Sequence, residues 1–230
     1  GVTVGCTKDT LSAVYNDLSS VETLFEQFPQ EIAAVIVEPV AANMGVVPPA
    51  KGFLEGLRGL CTKYGALLIF DEVITGFRLG YEGAQGYFSV DADLVTYGKI
   101  IGAGMPVGAY GGRKEIMSMV APAGPVYQAG TLSGNPVAMQ AGLTQLRILK
   151  EHPEIYTELN AKADRFYTRL DEAAAKAPQG YHVNHIGSLG CLYFTKDPVV
   201  DYASAKTSDT KAFAQWFRYI FEKGYYIAPS

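Results

Sequence analysis

The sequence has few cysteines, and they form no pairing pattern. Cys6, Cys61 and Cys191 are an odd number without CxxC spacing, which argues against a disulfide scaffold and against a cysteine-based zinc site. Ordinary reduced thiols in a cytosol-like compartment are therefore expected. The chain begins at Gly1 without methionine and reads like an excerpt, so no targeting signal can be sought in it. We expect a cytoplasmic setting, and a plastid stroma stays an open alternative.

An excess of positive charge and a long apolar run are absent as well. The net charge is −4 with a pI near 5.4, and no cluster of Lys or Arg lies on one expected face. The electrostatic footprint of nucleic-acid binding is therefore missing. No run approaches the about 18 consecutive apolar residues of a membrane span. A small-molecule partner is expected, with neither a nucleic acid nor a membrane.

Histidine is scarce, and its three positions do not predict a metal site. His182 and His185 stand three residues apart, which on a strand points them to opposite faces. Apolar residues, in contrast, are plentiful. Hydrophobic residues make up 48% of the chain and charged residues only 18%, against the roughly 25% usual in soluble domains. This composition predicts a folded chain with a substantial core, in one large or two small domains.

Strand and helix patterns alternate along the first 150 residues. Four segments are typical of short or buried strands: 32–38, 66–72, 93–98 and 106–112. Helices are expected from Pro48 and Pro49 to Tyr64, over 114–120, and from Asn135 onward. In the first of these, Pro48 and Pro49 mark the start and Gly65 the C-terminal cap. The pattern predicts an α/β domain with a mainly parallel sheet, in which ligands bind beyond the carboxyl ends of strands.

The pattern changes after about Lys150. A charged amphipathic helix is expected over 153–176, then two short strands and a helix with one aromatic face. These elements predict an α+β unit of their own. We therefore place a domain boundary near Lys150, which divides the chain into residues 1–150 and 151–230.

Asp71 follows "ALLIF" directly, at the end of a strand that we expect to be buried on both faces. A carboxylate there must be paired or must face a cleft. One interpretation is a helix cap or an ion pair with Arg78. The other is a carboxylate that holds a cationic ligand atom, and a protonated pyridine nitrogen fits that description.

Lys99 opens a glycine-rich run with no further charge until Arg113. An amine that forms a Schiff base must be neutral part of the time, and apolar surroundings such as "IIGAGMPVGAY" lower a lysine pKa. Taken alone, the pattern favours a surface lysine over a catalytic one. In "GTLSGNP" (130–136), Asn135 and Pro136 indicate a helix start, where free N–H groups and hydroxyls make a phosphate site or an ordinary cap. Together, carboxylate, amine and hydroxyl-rich helix start favour a cofactor site.

Four segments in this order closely resemble the class III pyridoxal-phosphate aminotransferases of fold type I: "VEPV" (37–40), "LLIFDEVITGFR" (67–78), "YGKIIGAGMPVGAYGGR" (97–113) and "GTLSGNP" (130–136). The resemblance extends along nearly the whole chain. It implies that 1–150 is the C-terminal part of a large cofactor-binding domain with an incomplete, mainly parallel sheet. Residues 151–230 would be most of a smaller α+β C-terminal domain, truncated at its end.

The resemblance also implies roles for single residues. Lys99 corresponds to the catalytic lysine that carries pyridoxal 5'-phosphate and shuttles protons. Asp71 corresponds to the partner of the pyridine nitrogen, and Val73 to the residue on one ring face. Asn43 matches the donor to the phenolic oxygen of the cofactor.

Phosphate binding is implied for Thr131 and the backbone near Gly130, which in the family contact the cofactor across the interface of a homodimer. Further candidate pocket residues are Glu38, Tyr127, Gln128 and Ser133. Glu38 matches a family acid near the cofactor. For Tyr127 and Gln128, ordinary packing is an equal alternative.

Residues 121–136, "AANMG" (41–45) and the closing "GYYIAPS" resemble in particular the branch of the family that exchanges an amino group within one molecule. This implies that the pyridoxamine 5'-phosphate form takes glutamate-1-semialdehyde as substrate. The alternatives are an ω-amino-acid or ornithine-type aminotransferase, with the same cofactor contacts, and a non-catalytic binding fragment. Because family members are nearly twice as long, we expect this chain alone to expose apolar surface and to be inactive.

Overall fold

The computed structural model describes residues 2–229, so Gly1 and Ser230, the outer ends of the two predicted domains, lie outside the described residues. The chain divides into two compact units. One consists of the residues up to Val40 with Pro49–Glu158, and the other of Ala41–Pro48 with the residues from Leu159 onward. The division after Glu158 falls inside a long helix. The assignment of 1–150 and 151–230 to parts of two larger domains stays a prediction.

The first unit contains one four-stranded sheet. Its strands, in the order in which they lie side by side, are β1 (Ala34–Val37), β2 (Leu67–Glu72), β3 (Leu94–Tyr97) and β4 (Ala109–Gly112). The pairs β1–β2 and β2–β3 are parallel, and β4 is antiparallel to β3. The predicted fold class, α/β with a mainly parallel sheet, is confirmed. Parallel strands end at one edge of the sheet, which is where ligands bind in such folds.

The helices of this unit are α1 (Val4–Thr7), α2 (Leu18–Gln27), α3 (Phe53–Tyr64), α4 (Gly83–Phe88), α5 (Lys114–Met117) and α6 (Pro136–Glu151). The predicted C-cap of α3 is confirmed, because Gly65 has a left-handed φ of 72° that glycine adopts without strain. The start of α3 differs from the prediction. Gly52, at a φ of 84°, is its N-terminal cap, and the helix begins at Phe53 rather than at the two prolines.

The two faces of the sheet are covered to different extents. The packed face, which includes Leu68, Phe70, Glu72 and Val95, contacts α2 and α3, and Leu68 and Phe70 are completely buried. The open face consists of Ile36, Ile69, Asp71, Thr96 and Tyr110, which strand register places on the other side. The prediction that β2 is buried on both faces is wrong for this chain, because its alternate residues remain partly exposed.

The second unit is an α+β arrangement. Its elements are the larger part of α7 (Glu154–Lys176), the antiparallel pair β5 (His182–Ile186) and β6 (Leu189–Tyr193), α8 (Tyr202–Ala205) and α9 (Thr210–Glu222). The segment Ala41–Pro48 packs on β6. The Tyr193 hydroxyl donates to the Met44 carbonyl at 3.4 Å, and Gly45 lies directly against the Tyr193 ring. A side chain at Gly45 would overlap that ring, which explains the glycine.

Within residues 2–229, no helix is both long enough and apolar enough to cross a membrane.

Candidate active site

Asp71 lies at the carboxyl end of β2, where strand alternation directs its side chain to the open face. One carboxylate oxygen, Oδ1, accepts hydrogen bonds from the Val73 amide at 3.1 Å and from the Thr96 hydroxyl at 3.3 Å. Over the described part of the chain, no ion pair joins Asp71 to Arg78, and Asp71 caps no helix. The cleft-facing interpretation of Asp71 therefore agrees better with the structure than the two structural alternatives.

Glu72, the next residue, points the opposite way and is completely buried. Its carboxylate accepts from the Thr75 hydroxyl at 3.1 Å and from the amides of Ala84 and Gln85 at 2.5 and 3.4 Å. Burial raises the pKa of Glu72 above its usual range, although these donors favour the charged form. Sequence reasoning missed this residue. Its only local signal was a second acid beside Asp71.

The carboxylate of Glu72 closes the loop that connects β2 to α4. Gly83, at a φ of 63°, has no room for a side chain, because a Cβ there would stand 2.5 Å from Glu72 Oε2. Gly76 in the same loop has no room for a side chain either, because a Cβ there would stand 2.6 Å from Tyr97 Cδ1. The two glycines therefore let this loop approach the Glu72 carboxylate and the Tyr97 ring closely.

Lys99 begins a single 3₁₀ turn, Lys99–Gly102, directly after β3. Its φ of 46° is in the left-handed region, which is unusual for a residue with a side chain and is often found at functional sites. The side chain of Lys99 is exposed. The expected apolar surroundings are therefore absent from residues 2–229, because the open face of the sheet and the edge beside Lys99 are not covered. Val73 packs on this turn, with Cγ1 3.2 Å from a Cβ built on Gly98.

Helix α6 braces the turn that carries Lys99. Gln145 Nε2 donates to the Ile100 carbonyl at 2.9 Å. Gly142 lies so close to the turn that a Cβ there would overlap the Ile101 carbonyl oxygen. The helix begins as predicted, with Pro136 in its first turn and the Asn135 side chain accepting from the amides of Val137 and Ala138. The bracing role of Gln145 and Gly142 was not predicted.

The predicted phosphate residues lie in an exposed turn before α6. Gly130, Thr131 and Ser133 are all exposed, and the Ser133 amide donates to the Gly130 carbonyl at 2.9 Å. Thr131 and Lys99 share no hydrogen bond in residues 2–229. Tyr127 is 83% exposed and Gln128 is exposed, so neither is packed, and their pocket role stays a prediction.

The structure brings some predicted residues together and leaves others apart. Asp71, Val73 and Lys99 lie at the carboxyl ends of the adjacent strands β2 and β3. Glu38 follows β1 at the same edge. Asn43 is an exposed residue of the second unit, and its role stays a prediction. Among the described residues, no group of three or more His, Cys, Asp or Glu is arranged to hold a metal ion.

Comparison with known proteins gives matches along nearly the whole chain. The family model "Aminotransferase class-III" matches residues 6–227. "Glutamate-1-semialdehyde 2,1-aminomutase 2" of Lachnoclostridium phytofermentans is 63% identical over 230 residues, which is 100% of this chain and 54% of that protein. The aminomutase of Acetivibrio thermocellus is 62% identical over 100% of this chain and 53% of its own length. The chain thus spans about half the length of these curated relatives.

Solved structures of aminotransferases and an aminomutase also match this chain. An omega-transaminase from Sphaerobacter thermophilus has a TM-score of 0.86 and 35% identity, and the match covers 94% of this chain and 50% of that one. A variant glutamate-1-semialdehyde-aminomutase from Pseudomonas aeruginosa, solved in complex with PMP, has a TM-score of 0.82 and 27% identity, over 94% of this chain and 49% of that one.

Proposed function

Because this chain belongs to the class III aminotransferase family, we propose that the protein carrying it uses pyridoxal 5'-phosphate to isomerise glutamate-1-semialdehyde to 5-aminolevulinate. This reaction supplies tetrapyrrole (porphyrin) biosynthesis and is an intramolecular amino exchange. The observation that carries the proposal is the 63% identity, over all of this chain, to an aminomutase. The Asp71 carboxylate and the Lys99 amine, at the ends of adjacent strands, support the proposal because they are the groups that would contact the cofactor.

The residues present fit the cofactor. The second oxygen of Asp71, Oδ2, accepts no hydrogen bond within residues 2–229, so it can accept one from a protonated ring nitrogen. Val73, which lies beside Gly98, offers an apolar surface to a flat ring. The exposed amine of Lys99 is available for a covalent bond to an aldehyde. The turn of Gly130, Thr131 and Ser133 has the hydroxyls and amides that bind phosphate.

When bound, pyridoxal phosphate supplies an electron sink and a carrier for the amino group. The protein's residues then bind, orient and transfer protons. Asp71 would hold a proton on the ring nitrogen, and the Lys99 amine would accept and return protons at the substrate carbons. The turn of Lys99, braced by Gln145 and Gly142, would hold in place the backbone from which that amine extends.

A homodimer is part of the proposal. The exposed apolar side chains of α6 support it, with Val137 61% exposed and Leu143 and Ile148 also exposed. A shallow groove of about 600 Å³ runs between this helix and Ala103. Apolar surface of this kind is typical of an interface. Light scattering on the complete protein tests this point, with twice the monomer mass expected and a monomer contradicting it.

The activity is tested with the complete purified protein and glutamate-1-semialdehyde, without any other amino acceptor. We expect 5-aminolevulinate to form. Lys99→Ala should lower the rate by about 10²- to 10⁴-fold, because the proton-transfer group is lost. Lys114→Ala removes another exposed lysine and should leave the rate unchanged. Borohydride reduction and peptide mapping should find the cofactor on Lys99, and an adduct elsewhere or none would contradict the assignment.

The second candidate function is an ω-amino-acid or ornithine-type aminotransferase. The omega-transaminase structure supports it, because its identity of 35% exceeds the 27% of the aminomutase structure. The two functions differ in their need for a second substrate. Product formation only in the presence of an external amino acceptor would favour the aminotransferase and would overturn the aminomutase proposal.

A further inference from the structure

The side chain of Asp71 is held from two directions. The Val73 amide approaches from the same loop, and the Thr96 hydroxyl approaches from the adjacent strand β3. Asp71 and Thr96 are register partners in the parallel pair β2–β3, so their side chains lie next to each other on the open face. Because both donors bind Oδ1, the other oxygen remains without a donor within residues 2–229.

Thr96 is well suited to fix a carboxylate. Its branched Cβ restricts the side chain to few rotamers, and over residues 2–229 its hydroxyl donates to Asp71 alone. A carboxylate with one anchor can rotate about its Cβ–Cγ bond, whereas two donors on one oxygen fix the plane of the carboxylate and the direction of its other oxygen. A valine in place of Thr96 would keep the shape of the side chain and its strand preference while removing the anchor.

We propose that Thr96 is a positioning residue, which holds the Asp71 carboxylate through Oδ1 and so keeps Oδ2 available to the ring nitrogen of pyridoxal phosphate. The inference rests on the proposed function and deepens it, because it assigns the second anchor of the nitrogen-binding acid. It makes a specific prediction: Thr96 matters for a ligand only through the ring nitrogen of that ligand.

The test compares pyridoxal phosphate with 1-deazapyridoxal phosphate, in which a C–H group replaces the ring nitrogen. The dissociation constants of both are measured on the complete protein with Thr96→Val, Thr96→Ser and the unchanged sequence. For Thr96→Val we expect the dissociation constant of pyridoxal phosphate to rise about threefold to tenfold, the effect of one ordinary hydrogen bond, because Thr96 acts on the ring nitrogen only through Asp71. The dissociation constant of the deaza analogue should change by less than about twofold between the variants. This analogue has no ring N–H that could donate to Asp71, so its binding does not depend on how the carboxylate is held.

Thr96→Ser keeps the hydroxyl and should restore pyridoxal phosphate binding to nearly the unchanged level. Thr23→Val is the matched control, because it removes an exposed hydroxyl of α2 that, within residues 2–229, donates only to the Ser19 carbonyl. In an Asp71→Asn background, Thr96→Val should no longer affect pyridoxal phosphate binding, since the charged acceptor is gone. This second measurement keeps the proposal testable if Thr96→Val alone is unstable.

Two results would overturn the inference. If Thr96→Val weakens both ligands equally, the residue has only a structural role in the strand. If pyridoxal phosphate binding does not change, Asp71 needs no second anchor. Failure of the proposed cofactor looks different, because the unchanged protein would then bind no pyridoxal phosphate and form no adduct at Lys99, and the role of Thr96 would fall with it. Failure of the aminomutase reaction alone would show as product formation only with an external amino acceptor, and the role of Thr96 would stand.

Discussion

The packed and open faces of the sheet differ in how completely their polar groups are hydrogen-bonded. On the packed face, buried Glu72 has three hydrogen-bond donors. Buried Asp93, which follows α4, accepts from Arg58, Arg113 and the Leu68 amide. On the open face, Asp71 has both its donors on one oxygen, and Lys99 is exposed at the adjacent strand end. Polar groups with a full set of partners stabilise a fold, and those with an unused position can bind a ligand.

The same strand, β2, therefore serves both purposes with alternate residues. Phe70 and Glu72 belong to the core, and Asp71 between them belongs to the candidate site. This difference suggests that stability and ligand binding can be changed separately in this molecule. The predictions below test that separation, and each is measured on the complete protein.

Phe70→Ala should have the largest effect on stability. Phe70 is completely buried on the packed face, and replacing a core Phe by Ala costs about 3–5 kcal/mol in the free energy of unfolding. Ile69→Ala on the open face is the matched comparison and should cost clearly less, because Ile69 is only partly buried. Urea unfolding measures both. Equal losses would show that the two faces are buried alike in the complete protein.

Glu72→Gln should lower the free energy of unfolding by about 1–3 kcal/mol, because an amide nitrogen would face backbone N–H donors in a buried place. Asp71→Asn, one residue away, should change stability little and weaken pyridoxal phosphate binding instead. Unfolding curves and cofactor titrations of both variants distinguish the two roles. The separation is contradicted if both variants lose the same property.

The pH dependence of stability gives a sharper test of Glu72. Its pKa is raised in the folded state above the usual value of 4.5, first by burial, so its contribution to stability is complete below 4.5 and is lost as pH rises through the raised pKa. Glu72→Gln has no such group. The stability gap between the two proteins should therefore narrow as pH rises above 4.5, and a widening gap would mean that the hydrogen bonds outweigh burial.

Gly142→Ala and Gly59→Ala should have opposite and smaller effects. A Cβ at Gly142 would overlap the Ile101 carbonyl, so the brace on the Lys99 turn must shift at a cost of about 1–3 kcal/mol, with weaker cofactor binding. Gly59, inside α3, has open space around it, so alanine there should stabilise the protein by about 0.5–1 kcal/mol. Thermal melting and cofactor titration measure both variants. A Gly142→Ala variant with unchanged stability and cofactor binding would contradict the bracing role of α6.

Much of the fold could be predicted from local patterns. Runs of apolar residues marked the strands β1, β2 and β3, and turn chemistry marked the caps at Gly65 and Asn135. Helix boundaries were less accurate. The predicted helix over 114–120 ends at Met117, and α3 starts after the two prolines. These ends depend on hydrogen bonds of single residues, which composition does not determine.

The candidate site could be predicted in its chemical groups and less in its surroundings. Asp71, Lys99 and the start of α6 were found because their residue types suit one cofactor. Thr96 and Gln145 were not found, because nothing in their neighbouring sequence sets them apart. Only strand register brings Thr96 beside Asp71, and only the packing of α6 brings Gln145 to the Ile100 carbonyl.

The sequence by itself determined the strand pattern, the caps and the identity of the reactive groups, since these depend on neighbouring residues. The tertiary structure decided which face of β2 is buried, that Glu72 has two of its three donors from α4, and that Lys99 remains exposed. The physical reason is the range of the interactions. A period of two residues gives a strand two faces, but contacts with residues far along the chain decide which face is covered.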